Sequence, residues 1–314
     1  MRKILIQLDT DPQPSVFDRV VAMDAGVDEL FSYGSVTPEN VVGLVHGAIF
    51  TRGVPDLKNT AIFIGGSNVA AGEQLLAKVQ KTFFGPMRVS VMMDSNGSNT
   101  TAAAAVLAAR KQLLLSAAVR RSDNLAQHIE SALVAQENVL PPTLSGATTL
   151  ILGGTGPVGH RAAQILAAEG AEVRVGSRTR DKAEQTCFAI AKVVSAARVI
   201  SVATGTDSEL AEACDGVSLI IAAGAAGVEL LSAERRASLK SLRIAVDLNA
   251  VPPLGIGGVE VMDKAKDRDG QLCYGAIGVG GTKMKIHRAA VARLFESNDQ
   301  VLDTAVIYAI GQSL

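Results

Sequence analysis

Three glycines with the spacing G-x-G-x-x-G follow an apolar segment at 148–152 and precede a segment with helical periodicity. The spacing alone is weak evidence, but a strand before it and a helix after it are the context in which such a loop binds a pyrophosphate. Gly154 permits the tight turn, Gly156 lets the backbone approach the phosphates, and Gly159 lets the helix pack against the strand. The helix N-terminus adds free N–H groups and partial positive charge. We predict a dinucleotide-binding loop consisting of Gly154, Thr155, Gly156, Pro157, Val158 and Gly159.

The end of the following strand discriminates between the two nicotinamide dinucleotides. NAD sites usually carry an Asp or Glu about 20 residues after the first glycine, whereas this chain has Gly176-Ser177-Arg178 there. Arg178 can pair with the 2′-phosphate of NADP, and Lys182 follows closely. We therefore predict NADP rather than NAD, with Ser177, Arg178 and Lys182 as contacts. The alternative is that Arg178 is only a solvated surface charge.

Two later turns follow predicted strands, at 222–225 and 247–249. Ligands of parallel sheets bind at the carboxyl ends of the strands, so these turns are candidates for ribose and nicotinamide contacts. Small residues in turns can equally serve packing, and the sequence leaves both interpretations open. The additional cofactor contacts predicted are Ala223, Gly224, Asn249 and, in a later glycine-rich segment, Gly280.

Four other segments are too polar or too rich in glycine for packing alone, namely 14–18, 94–101, 252–258 and 278–288. The amides and hydroxyls of 94–101 could bind a heterocycle, or Ser98 or Asn99 could simply cap a helix. We predict that 278–288 is a glycine-rich loop leading into a helix. A lysine is unfavourable at a helix N-terminus unless a ligand uses it, which makes Lys283 a candidate functional residue.

These segments are positioned by two predicted α/β domains. The β-α-β succession at 148–248 predicts a Rossmann-type doubly wound parallel sheet, and strand and helix patterns also alternate in the first third of the chain. We predict a first α/β domain at 1–115 completed by a C-terminal helix at about 288–314. A helical linker at 116–143 and a Rossmann domain at 144–287 complete the chain, with a cleft between the domains.

Composition limits the partners. With 30 basic and 31 acidic residues the net charge is −1, which argues against nucleic acid. No apolar segment reaches the ~18 residues that span a bilayer. Three cysteines without a C-x-x-C pair fit a reduced cytoplasm. The four histidines show no metal-ligand spacing, so we predict no metal, no membrane and a cytoplasmic protein.

Taken in order, the motifs resemble the bacterial NADP-dependent methylene-tetrahydromethanopterin/methylene-tetrahydrofolate dehydrogenases of one-carbon metabolism. The stretches involved are 7–18, 94–103, 153–159, 252–258 and 278–296, which span nearly the whole chain. The resemblance implies a homo-oligomeric enzyme that binds a reduced pterin between its domains and has Lys283 as its active-site lysine. The implied substrate contacts are Phe17, Asp18, Asp94, Asn96, Asn99, Thr100, Pro253 and Gly257. The segment at about 112–143 is longer than this family leads us to expect.

The implied reaction moves a hydride from the bridging methylene carbon to NADP and leaves a methenyl cation. No proton moves in that step, so orientation and electrostatics would dominate catalysis. A cationic Lys283 beside the forming cation would oppose the reaction. We therefore expect Lys283 to bind a pterin or carbonyl oxygen, or to be partly neutral through burial. Methanopterin and folate are not distinguished by the sequence.

Two other functions fit the same residues. A shikimate-dehydrogenase-like carbonyl reductase would need a proton donor, for which Lys283 or Lys58 with Asp94 could serve. A non-catalytic NADP-binding sensor would bind the cofactor without a second ligand, and the polar segment 94–101 argues weakly against it.

Overall fold

The computed structural model describes residues 1–125 and 144–314. Its strands are β1 (Ile4–Asp9), β2 (Glu29–Tyr33), β3 (Thr60–Gly65), β4 (Ser90–Met93), β5 (Thr148–Leu152), β6 (Glu172–Ser177), β7 (Arg198–Ala203), β8 (Leu219–Ala222), β9 (Ile244–Asp247), β10 (Lys264–Arg268), β11 (Gln271–Tyr274) and β12 (Val301–Leu302). Its α-helices are α1 (Val16–Asp24), α2 (Val42–Phe50), α3 (Val69–Thr82), α4 (Ser98–Leu125), α5 (Pro157–Ala168), α6 (Arg180–Val193), α7 (Asp207–Cys214), α8 (Ala233–Ser238), α9 (Ala276–Arg293) and α10 (Thr304–Gln312). None of these helices combines the length and the apolar character needed to cross a bilayer.

The described chain forms two compact units. Unit 1 consists of Met1–Ala104 and Gly281–Leu314, and unit 2 of Ala105–Gly280. The two divisions fall inside α4 and α9, whereas the sequence places the domain boundaries at 115 and 287. Because unit 1 includes most of α9, Lys283 belongs to the same unit as the segment 94–101.

Unit 1 is built on a parallel sheet of five strands in the order β12-β4-β3-β1-β2. The central strand β3 is buried along its whole length, as expected of a parallel strand covered on both faces. In the register of the sheet, Asp9 pairs with Gly65 and Ile64 pairs with Met93. The carboxyl ends of β1, β3 and β4 therefore meet at one edge, which brings the loops after them together.

Unit 2 contains seven strands in the order β10-β11-β9-β8-β5-β6-β7, parallel except for β10. From β5 the chain winds outward to β6 and β7, then returns to β8 on the other side. The loop after β5 thus lies at the point where the strand order reverses, the usual ligand position in such sheets. The predicted Rossmann-type sheet accompanied by a second α/β domain is confirmed.

Three element predictions need correction. The predicted C-terminal helix at 288–314 is wrong, because α9 ends at Arg293 and β12 adds a short strand beside β4 before α10 begins. The predicted helical linker at 116–143 does not begin a new element, since α4 continues without interruption to Leu125; the rest of the linker, 126–143, lies outside the described residues. The β10–β11 hairpin was not predicted, because β10 is a charged, exposed edge strand.

Candidate functional site

The predicted phosphate loop of unit 2, Gly154–Gly159, is tightly packed. A Cβ atom on Gly159 would lie 2.5 Å from the Gly153 carbonyl oxygen, and one on Gly154 would lie 2.8 Å from Val175 Cγ1. Gly156 is the N-cap of α5, Pro157 follows it, and no side chain caps the helix. The first N–H groups of α5 are therefore available to an anion.

A cavity of about 1170 Å³ adjoins this loop. Its wall includes the predicted residues Thr155, Gly156, Pro157, Ser177, Arg178, Lys182, Ala223 and Gly224. Arg235 on α8 adds a third cation that sequence reasoning missed, and its guanidinium lies 3.7 Å from the Asp207 carboxylate. The cavity is large enough for a cofactor, and its glycine loop and cations fit a phosphorylated dinucleotide.

The remaining predicted cofactor residues lie elsewhere. Gly154, Val158 and Gly159 shape the loop but do not line the cavity. Asn249 donates to the Pro253 carbonyl and accepts from the Val251 N–H, so its amide holds its own loop. Gly280 does not line the cavity either, because it lies inside α9.

The 252–258 segment is anchored within unit 2. The Asp247 carboxylate accepts the N–H groups of Asn249 and Ile256. A Cβ atom on Gly257 would lie 2.4 Å from the Ala233 nitrogen, so this glycine permits close packing against α8. The predicted substrate contacts Pro253 and Gly257 thus belong to the loop that Asp247 holds.

In unit 1, Asp94 lies between β4 and α4 and is buried. One oxygen accepts the N–H groups of Asn99 and Thr100, and the other accepts the Thr100 hydroxyl at 2.6 Å. Asp94 therefore caps α4, a role that the sequence offered to Ser98 or Asn99. Burial raises the pKa of Asp94 to about 7, although its hydrogen bonds with Thr100 oppose the shift.

Among the residues after Asp94, Asn99 and Thr100 are buried, whereas Asn96 lies in an exposed turn. The Asn99 amide donates to the Met93 carbonyl and accepts the Thr304 hydroxyl at 2.6 Å. The side chains of Asn99 and Thr100 are thus occupied by protein partners. Asn96 is exposed and has a positive φ of 56°, which leaves its side chain as the accessible amide of this segment.

Lys283 lies on α9 beside this turn. The glycine-rich loop predicted at the start of the segment 278–288 is wrong, because α9 already begins at Ala276 and Lys283 lies two turns into the helix. Its Nζ is 4.8 Å from the centroid of the Phe17 ring, and a Cβ on Gly97 would approach that Nζ to 2.7 Å. Among the described residues no carboxylate lies within 4.0 Å of Nζ.

His287, one turn after Lys283 on α9, is a functional candidate that sequence reasoning missed. It is buried, and its ring stacks on Phe63 with centroids 5.6 Å apart. Neither ring nitrogen has a hydrogen-bond partner among the described residues. Burial, followed by the charge of Lys283, lowers its pKa to about 3. The i, i+4 spacing to Lys283 would have indicated a shared helix face.

Asp18 lies beside His287 and Lys283. Its Oδ1 is 4.0 Å from His287 Nε2, and its side chain is 14% exposed. Burial raises its pKa to about 6, partly opposed by the Ser15 hydroxyl and by Lys283. Unit 1 thus brings together the predicted Phe17, Asp18, Asp94 and Lys283, with His287 and Phe63 behind them.

Comparison with known proteins identifies the family. Residues 16–96 match the family model described as methylene-tetrahydromethanopterin dehydrogenase, N-terminal. "Bifunctional protein MdtA" of Methylorubrum extorquens is 43% identical over 313 residues, covering 100% of this chain and 99% of that protein. The "NAD(P)-dependent methylenetetrahydromethanopterin dehydrogenase" of the same organism is 32% identical over 302 residues, covering 95% and 93%.

Among solved structures, quinate dehydrogenase from Corynebacterium glutamicum in complex with NAD aligns over 100% of this chain and 99% of its own, at 10% identity and a TM-score of 0.48. That similarity is too distant to favour the carbonyl-reductase alternative. The full-length sequence relatives decide the family: this chain belongs to the methylenetetrahydromethanopterin dehydrogenases.

Proposed function

We propose that this protein is an oxidoreductase that transfers a hydride from methylene-tetrahydromethanopterin to NADP and releases the methenyl-pterin. The observation that carries the proposal is the conjunction of two features in a member of this family. Unit 2 has a phosphate-loop cavity lined by Arg178 and Lys182, and unit 1 has a polar group around Lys283 that a simple cofactor-binding protein would not need.

NADP would supply the hydride acceptor. The free N–H groups of α5 would hold its pyrophosphate, and the cavity wall beyond β6 would hold its 2′-phosphate. No carboxylate stands at the end of β6 or directly after it, since Ser177 and Arg178 occupy those positions. Arg178 is exposed and therefore free to form a bidentate pair with a phosphate. This supports NADP over NAD.

On the pterin side, the hydride transfer requires correct placement of the reacting carbon atoms and no proton transfer. The carbon that loses the hydride becomes part of a cation delocalised over two nitrogens, so no acid or base is required in that step. An ionised Asp18 would favour the cation electrostatically, whereas Lys283 would oppose it unless it binds an electronegative atom. We therefore assign Lys283 to a carbonyl oxygen of the pterin, with Phe17 supporting its aliphatic stem.

The deciding experiment is a spectrophotometric assay of the purified protein with methylene-tetrahydromethanopterin, methylene-tetrahydrofolate and a shikimate-type hydroxy acid, each with NADP and NAD. We expect reduction of NADP with the methanopterin substrate and weaker reduction of NAD. Activity with only the hydroxy acid would favour the carbonyl reductase. NADP binding without turnover of either pterin would favour a sensor.

We further propose that the protein is cytoplasmic and forms a homo-oligomer. Support for the homo-oligomer comes from exposed apolar residues along the edge strand β2, where Phe31 and Tyr33 border a groove of about 440 Å³ that also includes Gly43 and Gly47 of α2. Light scattering coupled to size exclusion tests this, since a monomer at micromolar concentration would contradict it.

A further inference from the structure

Helix α8 carries two consecutive arginines whose surroundings differ. Arg236 is buried, and its guanidinium donates to acceptors outside α8. These acceptors are the carbonyl oxygens of Gly257 and Arg268, the side-chain oxygen of Gln271 and the carboxylate of Asp269. The bonds hold a helix of only six residues in place. The neighbouring Arg235, which lines the cofactor cavity, is therefore presented from a fixed backbone.

The contact that Arg235 makes within the protein is weak. Its Nη1 donates to the Asp207 carbonyl oxygen at 3.3 Å, and its Nη2 is 3.7 Å from Asp207 Oδ1. The Asp207 side chain is 97% exposed, whereas that of Arg235 is 28% exposed. An ion pair this open to solvent contributes little, because water and salt screen it. Arg235 is thus available to exchange Asp207 for an anion that binds it more strongly.

The same contact places Arg235 near the ends of β6 and β7. A Cβ atom on Gly205, just after β7, would lie 2.9 Å from the Arg178 carbonyl oxygen, so the segments that follow the two strands touch. Asp207 comes two residues after Gly205 and begins α7. Arg235 therefore reaches the part of the cavity wall that Arg178 forms after β6, where the 2′-phosphate of NADP is expected.

The charge of that phosphate calls for more than one cation. A phosphate monoester carries about −1.5 to −2 at pH 7, and one guanidinium carries a single positive charge. Arg178 and Lys182 line the cavity from the β6–α6 side, and Arg235 is the cation that α8 adds. A guanidinium donates two parallel N–H groups to phosphate oxygens, which an ammonium group cannot do.

We propose that Arg235 is a further specificity-determining residue, which exchanges its contact with Asp207 for the 2′-phosphate of NADP. This inference rests on the proposed function. Arg178 and Arg235 then hold the same phosphate, and Asp207 competes with that phosphate for the Arg235 guanidinium. Neutralising Asp207 should therefore strengthen NADP binding, an effect that a purely structural Arg235 would not produce.

The test measures by calorimetry the affinities of NADP, NAD, adenosine 2′,5′-bisphosphate and 5′-AMP for the wild type, Arg235→Ala, Asp207→Asn and the double variant. Asp215→Asn, exposed at the other end of α7 and outside the cavity wall, is the matched control. We expect Arg235→Ala to weaken binding of NADP and of the bisphosphate about 10- to 100-fold, with NAD and 5′-AMP unchanged. Asp207→Asn should strengthen binding of the same two ligands about 2- to 5-fold, and Asp215→Asn should not.

The double variant makes the assignment specific, because Asp207→Asn should give no gain once Arg235 is absent. A gain that persists undiminished in the Arg235→Ala background overturns the exchange, as does an equal loss of NADP and NAD affinity in Arg235→Ala. If Arg235→Ala does not fold, Arg235→Gln takes its place in both comparisons. A wild type that binds NAD as tightly as NADP overturns this inference together with the preference for NADP. A wild type that binds NADP but turns over neither pterin refutes the proposed hydride transfer alone, and the binding data still decide the role of Arg235.

Discussion

The Nζ of Lys283 lies 4.8 Å from the centroid of the Phe17 ring, although 266 positions separate the two residues (283 − 17). Phe17 is about half exposed, so the ring offers one face to the lysine and another to the surroundings. A cation over an aromatic face is held in position without an ion pair. The ammonium group is thereby kept available for an oxygen atom of a ligand.

Removing this ammonium tests its role. We expect Lys283→Ala to lower the rate of hydride transfer about 100-fold, the scale seen when a positioned donor is lost, with the affinity for NADP retained. Stopped-flow measurement of nicotinamide reduction and separate titration of NADP would show this. Near-normal turnover of Lys283→Ala would remove Lys283 from the active site, and Lys285→Ala, on an exposed position of α9, is the control.

Arg178 should determine the preference between cofactors. We expect Arg178→Ala to weaken NADP binding by about 10- to 100-fold, because one charge-assisted contact to the 2′-phosphate is lost, and to leave NAD binding unchanged. Fluorescence titration with both cofactors measures this. A parallel loss for NAD would mean that Arg178 supports the cavity in general. Arg198→Ala, at the far side of β7, is a suitable control because it pairs with Glu172 away from the cavity.

Gly159→Ala should disrupt the phosphate loop. The new Cβ would lie 2.5 Å from the Gly153 carbonyl oxygen and 2.9 Å from the Gly154 Cα, and backbone atoms cannot simply move aside. We expect loss of NADP affinity of at least ~10-fold and destabilisation of about 1–3 kcal/mol. Gly43→Ala on α2 is the matched control, since a Cβ there meets nothing within 4 Å. Unaltered NADP binding by Gly159→Ala would argue against this loop as the phosphate site.

Asn99 is expected to act on stability rather than on substrate binding. Asn99→Leu would leave the Met93 carbonyl and the Thr304 hydroxyl without their present partner in a buried environment, at a cost of about 2–4 kcal/mol. Urea unfolding measures this cost. The KM for the pterin should remain within about 3-fold for the folded fraction, whereas a selective rise in KM would restore Asn99 as a direct contact.

The pH dependence of stability should report on Asp94. Its folded pKa of about 7 lies above the unfolded value near 3.9, so between these values the folded chain retains a proton that the unfolded chain has released. The stabilisation that protonated Asp94 gives the folded chain is complete below about pH 4 and is lost as the pH rises to about 7. Above that pH the free energy of unfolding no longer changes with the titration of Asp94.

The matched variant is Asp94→Asn, which keeps an oxygen acceptor for the two N–H groups but cannot titrate. Relative to this variant, the wild type should lose on the order of 2–4 kcal/mol of unfolding free energy between about pH 4 and pH 7. Urea titrations across that range would measure the difference. Parallel pH profiles of the two proteins would show that Asp94 is ionised throughout.

Local signals were sufficient to predict the β5–loop–α5 fold at the start of unit 2. The glycine spacing, the β-branched strand before it and the helix after it are contiguous in sequence, and the structure has β5, the loop and α5 in that order. The dipeptide Asp269-Gly270 is also a local sequence signal for the β10–β11 hairpin that was not predicted. In the structure these two residues have the positive φ values, 56° and 77°, that a tight hairpin turn requires.

The pterin-side group was only partly accessible from sequence. Lys283 was identified, but from an incorrect helix start, and Asp94 was grouped with substrate contacts although its carboxylate is used to cap α4. His287 and Phe63 were missed, because nothing in their own segments indicates that their rings stack.

The sequence by itself therefore determined the fold class and, by resemblance, the family, and it predicts the phosphate loop and a preference for NADP. Only the tertiary structure decided which polar side chains already have hydrogen-bond partners within the protein. The Thr304 hydroxyl that engages Asn99 comes from 205 positions away, and the desolvation of Asp18 depends on α9 packing beside α1. Propensities and motifs act over a few residues, whereas burial and hydrogen-bond satisfaction arise from packing between distant segments.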